Sequence, residues 1–151
     1  MLIELLHVLQ KCYWFIWRPT TRGVKAIIVN KENKILLVEH TYGGGWFLPG
    51  GGLKRKEDPT HGMIREIKEE VGIEVKGVKE LFGIYQSDYE YKKDTIYVFV
   101  VAVSAFSFER HNIEIKNVTF FDPNFLPENT SPGTKRRVQE YINVKSKGTV
   151  W

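Results

Sequence analysis

Three glutamates, Glu66, Glu69 and Glu70, are crowded between Arg65 and Gly72. Carboxylates at this density match the oxygen-rich coordination of a hard divalent cation, and Mg²⁺ in particular takes a few carboxylates together with oxygens of a substrate phosphate. The segment that carries them reads as a short helix. Asp58 suits the N-cap, Pro59 the first helical position and Gly72 the residue past the end, which predicts a helix over Pro59–Val71. At 100° per residue from Ile67, the side chains of Met63, Ile64, Ile67 and Val71 form one apolar stripe. Glu70, Glu66 and Glu69 follow beside it at about −60°, −100° and −160°. Like charges three and four apart cost an isolated helix about 0.2–0.5 kcal/mol per pair, a penalty that a bound cation removes. Taken alone, the same acids also suit a solvated helix face.

The residues around the helix narrow this choice. Gly51, Glu57, Arg65-Glu66-Ile67, Glu69-Glu70 and Gly72-Ile73 are spaced as in the Nudix box, with five residues between Gly51 and Glu57 and seven between Glu57 and Arg65. On these residues the chain resembles the Nudix hydrolases. The segments RPTTRGVKAIIVN, KILLVEHTYGGGWFLPGGG and VTFFDPNFLPENTSPGTKRRV look like the flanks of a bacterial subgroup of unassigned substrate, extending the resemblance from Arg18 to about Tyr141. Two positions depart from the usual pattern. Lys56 stands where a Gly usually precedes the first box glutamate, and Gly62 stands where Ala is usual, at about 1 kcal/mol of helix propensity.

The resemblance implies an α+β fold, an α/β/α sandwich with a mixed sheet and a catalytic loop-helix. It implies metal-dependent hydrolysis of a pyrophosphate bond in a nucleoside diphosphate linked to another moiety, with Mg²⁺ or Mn²⁺ as cofactor. Glu66, Glu69 and Glu70 are then the metal ligands, joined by the main-chain carbonyl of Gly50. Arg65 takes a supporting catalytic role by orienting a carboxylate, and Glu57 steadies the junction of loop and helix. The general base is a box glutamate or a later carboxylate, for which Glu114 in NIEIKNVTFF is the candidate. Gly51 and Gly52 let the backbone approach the phosphates. His40, Trp46 and Tyr89 are candidates for contact with a base, and core packing is the competing role for Trp46.

Substrate markers outside the box are sparse. The chain has Asp88 and Tyr89 where the ADP-ribose group carries a Pro, and it lacks the coenzyme A and NADH signatures. Nucleoside triphosphates and related nucleotides are therefore the default class. Tyr89 and Tyr91 leave a diadenosine polyphosphate hydrolase open, and Lys92-Lys93 beside Tyr91 is the one hint of an RNA 5′-end pyrophosphohydrolase. The competing class, a non-catalytic nucleotide-binding regulatory domain, would be expected to have lost box residues.

Composition sets the frame. The 151 residues are 42% apolar and 13% aromatic, which suits one globular domain over residues 18–151. A net charge of +4 favours anionic small molecules and falls short of a nucleic-acid footprint, so no DNA partner is expected and RNA is disfavoured. Lys135-Arg136-Arg137 reads as a solvated helix face. The single Cys12 and the lack of a secretory signal pattern fit a cytoplasmic protein, and no zinc spacing is present. Residues 1–17 are apolar and aromatic, with Leu2, Leu5, Leu6 and Leu9 at helical spacing. This amphipathic segment is expected to dock on the domain or on a second copy as a homodimer contact. The alternative is a membrane surface, met through Trp14, Phe15 and Trp17.

Alternation and β-branched content predict strands at Gly23–Asn30, Lys34–His40, Trp46–Leu48, Glu74–Lys79, Leu81–Asp88, Thr95–Ser104 and Val118–Phe121. A last helix is predicted from Thr134 to Asn143, after Pro132-Gly133.

Overall fold

The computed structural model describes residues 5–10, 20–41, 43–75, 80–88, 93–104, 113–143 and 148–151. Its strands are β1 (Thr20–Val29), β2 (Ile35–His40), β3 (Trp46–Phe47), β4 (Glu80–Ser87), β5 (Lys93–Ala102) and β6 (Ile115–Phe121). Two helices, α1 (Pro59–Val71) and α2 (Pro132–Asn143), complete the domain. The order β3-β2-β1-β5-β4 makes one mixed sheet, with β6 pairing β2 off this path. β1 and β5 run parallel over their whole length, from Thr20 opposite Lys93 to Val29 opposite Ala102. β1 and β2 meet at one registered pair, Val29 with Ile35, so the sheet opens away from that turn.

Side-chain alternation then builds three layers. Val24, Ala26 and Ile28 of β1 join Val101 and Phe99 of β5 under Met63, Ile67 and Val71 of α1. Ile27 and Val29 face the other way, with Val98, Val100, Tyr85 and Val138 of α2. The α/β/α sandwich follows directly from a sheet that is apolar on both faces.

The helix ends lie where the sequence puts them. Asp58 accepts from the backbone N–H groups of Thr60 (2.9 Å) and His61 (3.1 Å). Gly72 closes α1 in the left-handed region at φ 71°, donating to the Lys68 carbonyl. Gly62 has a packing reason: a Cβ there would stand 2.1 Å from Cδ2 of Leu53, so the loop before the helix lies directly on it. Lys56 holds φ 59°, the conformation for which Gly is the ordinary choice.

Two expectations change. Residues 74 and 75 are not strand, and 76–79 lie outside the described residues, so the element predicted at Glu74–Lys79 does not stand as drawn. Arg137 is not on a solvated face: it is 1% exposed, and its guanidinium carbon lies 3.9 Å from the centroid of the Tyr85 ring. Its Nη2 meets Glu140 at 2.9 Å, and Glu140 also accepts from the Tyr85 hydroxyl at 2.9 Å. In the N-terminal segment, Leu5, Leu6, Val8 and Leu9 of the described helical residues are each more than half exposed. Cys12, Trp14, Phe15 and Trp17 lie outside the described residues. No helix among the described residues is long and apolar enough to cross a membrane.

Candidate active site

The loop of Leu48 to Gly52 runs antiparallel beside β1 and passes alongside α1. Gly50 has φ 140°, and a Cβ there would fall 2.1 Å from the Val24 carbonyl oxygen, so only glycine lets the loop lie this close. The pairing is fixed by Val24 N–H donating to Gly51 O and Ala26 N–H donating to Pro49 O, both at 2.9 Å. The helix and the loop thereby share one seam, and the glutamates fall along it.

Burial follows their angular order from the apolar stripe. Glu70, nearest the stripe, is 9% exposed; the side chain of Glu66 is 15% exposed and that of Glu69 56%. The Glu70 carboxylate accepts from the Gly50 N–H at 2.8 Å. Burial nonetheless pushes its pKa up to about 7, with the charges of Glu66 and Glu114 adding to the rise, while Lys25 and the Gly50 hydrogen bond oppose it.

Arg65 gathers the other acids. It donates to Glu57 through Nε (2.8 Å) and Nη2 (2.9 Å), to Glu66 at 2.6 Å and to Glu69 at 3.2 Å through Nη1, and to the Gly52 carbonyl at 3.1 Å. Glu57 also accepts from the Lys54 N–H at 2.8 Å, which ties the loop before α1 to the helix. Hydrogen bonds from Arg65 are the main reason that the Glu57 carboxyl titrates at about 2.

Lys25, which the sequence reading passed over, belongs to the same place. Its Nζ donates to the carbonyls of Leu48 (3.1 Å) and Gly50 (3.4 Å), and burial lowers its pKa against the raising influence of Glu70 and Glu66. The signal was available: GVKAIIV holds one cation inside an otherwise apolar run.

The remaining candidates divide. His40 stacks against Phe47, ring centroids 5.3 Å apart, and burial lowers its pKa. Glu114 precedes β6, its carbonyl accepts from the Thr41 N–H at 2.9 Å, and its charge acts on both Glu70 and His40. Trp46 turns into the second core layer, edge-on to Phe121 at 4.8 Å. It is partly buried there, and the next residue, Phe47, packs against the first core layer instead. The strand's two-residue period requires this, because neighbours face opposite sides. Tyr89, Tyr91 and Lys92 lie outside the described residues.

As arranged, no three acidic, histidine or cysteine side chains among the described residues converge closely enough to hold a metal ion. Glu66 and Glu69 are turned to Arg65 and Glu70 to the Gly50 amide. The donor set still fits a hard cation in its chemistry: three carboxylates and a backbone carbonyl, all oxygen, with one carboxylate buried where its charge is poorly solvated.

A sheet covered by a helix on each face and a loop-helix seam lined with glutamates define the class of protein. The NUDIX domain family model matches residues 19–141, and the chain belongs to that family. It is similar to an ADP-ribose pyrophosphatase of Methanocaldococcus jannaschii, 34% identical over 105 residues, covering 67% of this chain and 62% of the relative. It is also similar to an RNA pyrophosphohydrolase of Hydrogenovibrio crunogenus, 43% identical over 65 residues, covering 43% of this chain and 38% of the relative. The chain thus spans less than two thirds of the length of these curated relatives. Among solved structures, a MutT protein from Methanosarcina mazei Go1 shares the fold with a TM-score of 0.71 at 24% identity, over 85% of this chain and 96% of that one.

Proposed function

We propose that the protein is a divalent-metal-dependent pyrophosphohydrolase acting on a nucleoside diphosphate linked to another moiety. The observation that carries this reading is the seam itself: Glu66, Glu69 and Glu70 line one edge of α1 against the Gly50–Gly52 loop, and Arg65 and Glu57 lock that edge in place. Pyrophosphate oxygens already carry negative charge, so an attacking water must approach an anion. The cation, when held by the three glutamates and the Gly50 carbonyl, supplies charge neutralisation and acidifies a bound water.

The chain's own residues do the rest. Arg65 orients Glu66 and Glu69, and Lys25 places positive charge between the loop carbonyls and Glu70. Gly51 and Gly52 keep side chains off the surface on which phosphates would lie. Glu114, whose charge acts on Glu70, serves in this reading as the proton acceptor for the attacking water.

The substrate class is the nucleoside triphosphates and related nucleotides. The relatives named for ADP-ribose and for RNA put both beside it, although the Pro expected of the ADP-ribose group is missing from the sequence. The test is a hydrolysis screen over nucleoside triphosphates, nucleotide sugars, ADP-ribose, dinucleoside polyphosphates and 5′-triphosphorylated RNA, with Mg²⁺ or Mn²⁺ and phosphate release as readout. Turnover of none of them with either ion would refute the reading.

A further inference from the structure

Two cavities meet over the sheet beside the seam. One, of about 350 Å³, is bordered by Gly51, Gly52 and Arg22; the other, of about 710 Å³, runs to Trp151. They share Lys25, Asp94 and Ile96, and so form one cleft from the glutamate loop to the start of α2. Its volume is of the order that encloses a small-molecule ligand. The end near the glycines combines loop backbone with the cations Lys25 and Arg22 and the acid Asp94. The far end is aromatic, with Phe47 and Trp151 in its wall and Asn129, Thr134 and Arg136 around them.

Trp151 lies outside the family match of residues 19–141. The segment that carries it is held closely for so few residues. Gln86 N–H donates to Thr149 O and Trp151 N–H to Gln86 O, both at 2.8 Å, which adds a short parallel rung to the free edge of β4. Arg137 donates to the Val150 carbonyl at 2.8 Å, Arg136 to the Trp151 carbonyl, and the Gly148 N–H to Glu140 at 3.0 Å. The indole rests on Gly133, where a Cβ would stand 2.5 Å from Nε1, and Tyr85 and Arg137 back it at centroid distances of 6.2 and 5.5 Å. A partly buried indole, packed against the second core layer and set in a cleft wall, offers a planar apolar surface where a flat ring can stack.

We infer that Trp151 is a specificity-determining residue, the platform on which the base of a nucleotide stacks while its phosphates lie toward Lys25 and Gly51-Gly52. This inference rests on the pyrophosphohydrolase reading for its kinetic arm and has a binding arm that does not.

In the kinetic arm, KM and kcat are measured for ATP, ADP-ribose and UDP-glucose, and for 5-phosphoribosyl diphosphate, which has a pyrophosphate but no base. Trp151→Ala raises KM for the base-bearing substrates about 5- to 100-fold. Its effect on 5-phosphoribosyl diphosphate is at least fivefold smaller, and Trp151→Phe, which keeps a ring, restores KM to within about threefold of the wild type. A thermal melt of each variant separates stacking from loss of fold. In the binding arm, ADP is titrated in EDTA while indole emission is followed, and Trp151→Phe abolishes the quench that the wild type shows. An equal KM rise for the base-free substrate, a quench that persists in Trp151→Phe, or no quench in the wild type would overturn the inference. If no nucleotide is turned over, the hydrolase reading falls and the ADP titration still decides the role of Trp151.

Discussion

Replacing Glu70 by Gln should make the metal-free protein more stable and the enzyme inactive. Burial lifts the Glu70 pKa from 4.5 to about 7. Below about 4.5 both folded and unfolded chains hold the proton, and the shift costs nothing. Between 4.5 and about 7 the unfolded chain ionises first, so stability falls as pH rises, and above about 7 the full cost is present. The gap corresponds to about 3 kcal/mol, at 1.36 kcal/mol for each tenfold change in proton affinity. Glutamine keeps an oxygen to accept from the Gly50 N–H and carries no charge. At pH 8 in EDTA, Glu70→Gln should therefore melt about 6–12 °C above the wild type, and the difference should shrink to about 1 °C near pH 4.5. Mg²⁺ should stabilise the wild type and not the variant, because a cation relieves the same buried charge. Differential scanning calorimetry across pH, with and without EDTA, measures all three. A variant less stable than the wild type at pH 8, or a difference that does not change with pH, would refute the reasoning.

Arg65→Ala should lower kcat less than Glu69→Gln, since it removes the orientation of two carboxylates and not a ligand; steady-state kinetics with a metal titration compares the two, and greater harm from the Arg change would put Arg65 on the substrate. Lys56→Gly should stabilise the fold by about 1 kcal/mol, seen as a rise of about 2–4 °C in Tm, because φ 59° suits glycine; a fall in Tm would show that the lysine side chain holds the loop. Glu140→Leu should destabilise by about 3–5 kcal/mol in chemical denaturation, since it strips the buried Arg137 of its carboxylate; a loss under about 1 kcal/mol would mean that Tyr85 and the Val150 carbonyl hold that cation unaided.

The α1 seam was legible because its signals are local. Caps, apolar stripe and acidic sector all sit within the fifteen positions from Asp58 to Gly72, and local chemistry decided each of them. What the sequence hid depends on residues brought together from a distance. Gly62 looked like a weakened helix until Leu53 was found packed on it, and Arg137 looked solvated until Tyr85, Glu140 and Val150 closed round it. Trp46 and Phe47 are alike on paper, and only pairing with β2 decides which core layer each of them joins. Lys25 could have been read, since a lone cation in a buried strand needs a reason; its partners lie across the loop at Leu48 and Gly50. The cleft beyond it was out of reach, because Trp151 arrives by pairing with the edge of β4.

Phosphate release from a nucleotide panel, measured in parallel for the wild type and Glu69→Gln with Mg²⁺, with Mn²⁺ and in EDTA, decides whether the α1 glutamates hold a catalytic cation. At least one nucleoside diphosphate derivative should be turned over in a reaction that requires the cation and falls by several orders of magnitude in the variant. Full activity in EDTA, or in Glu69→Gln, would contradict it.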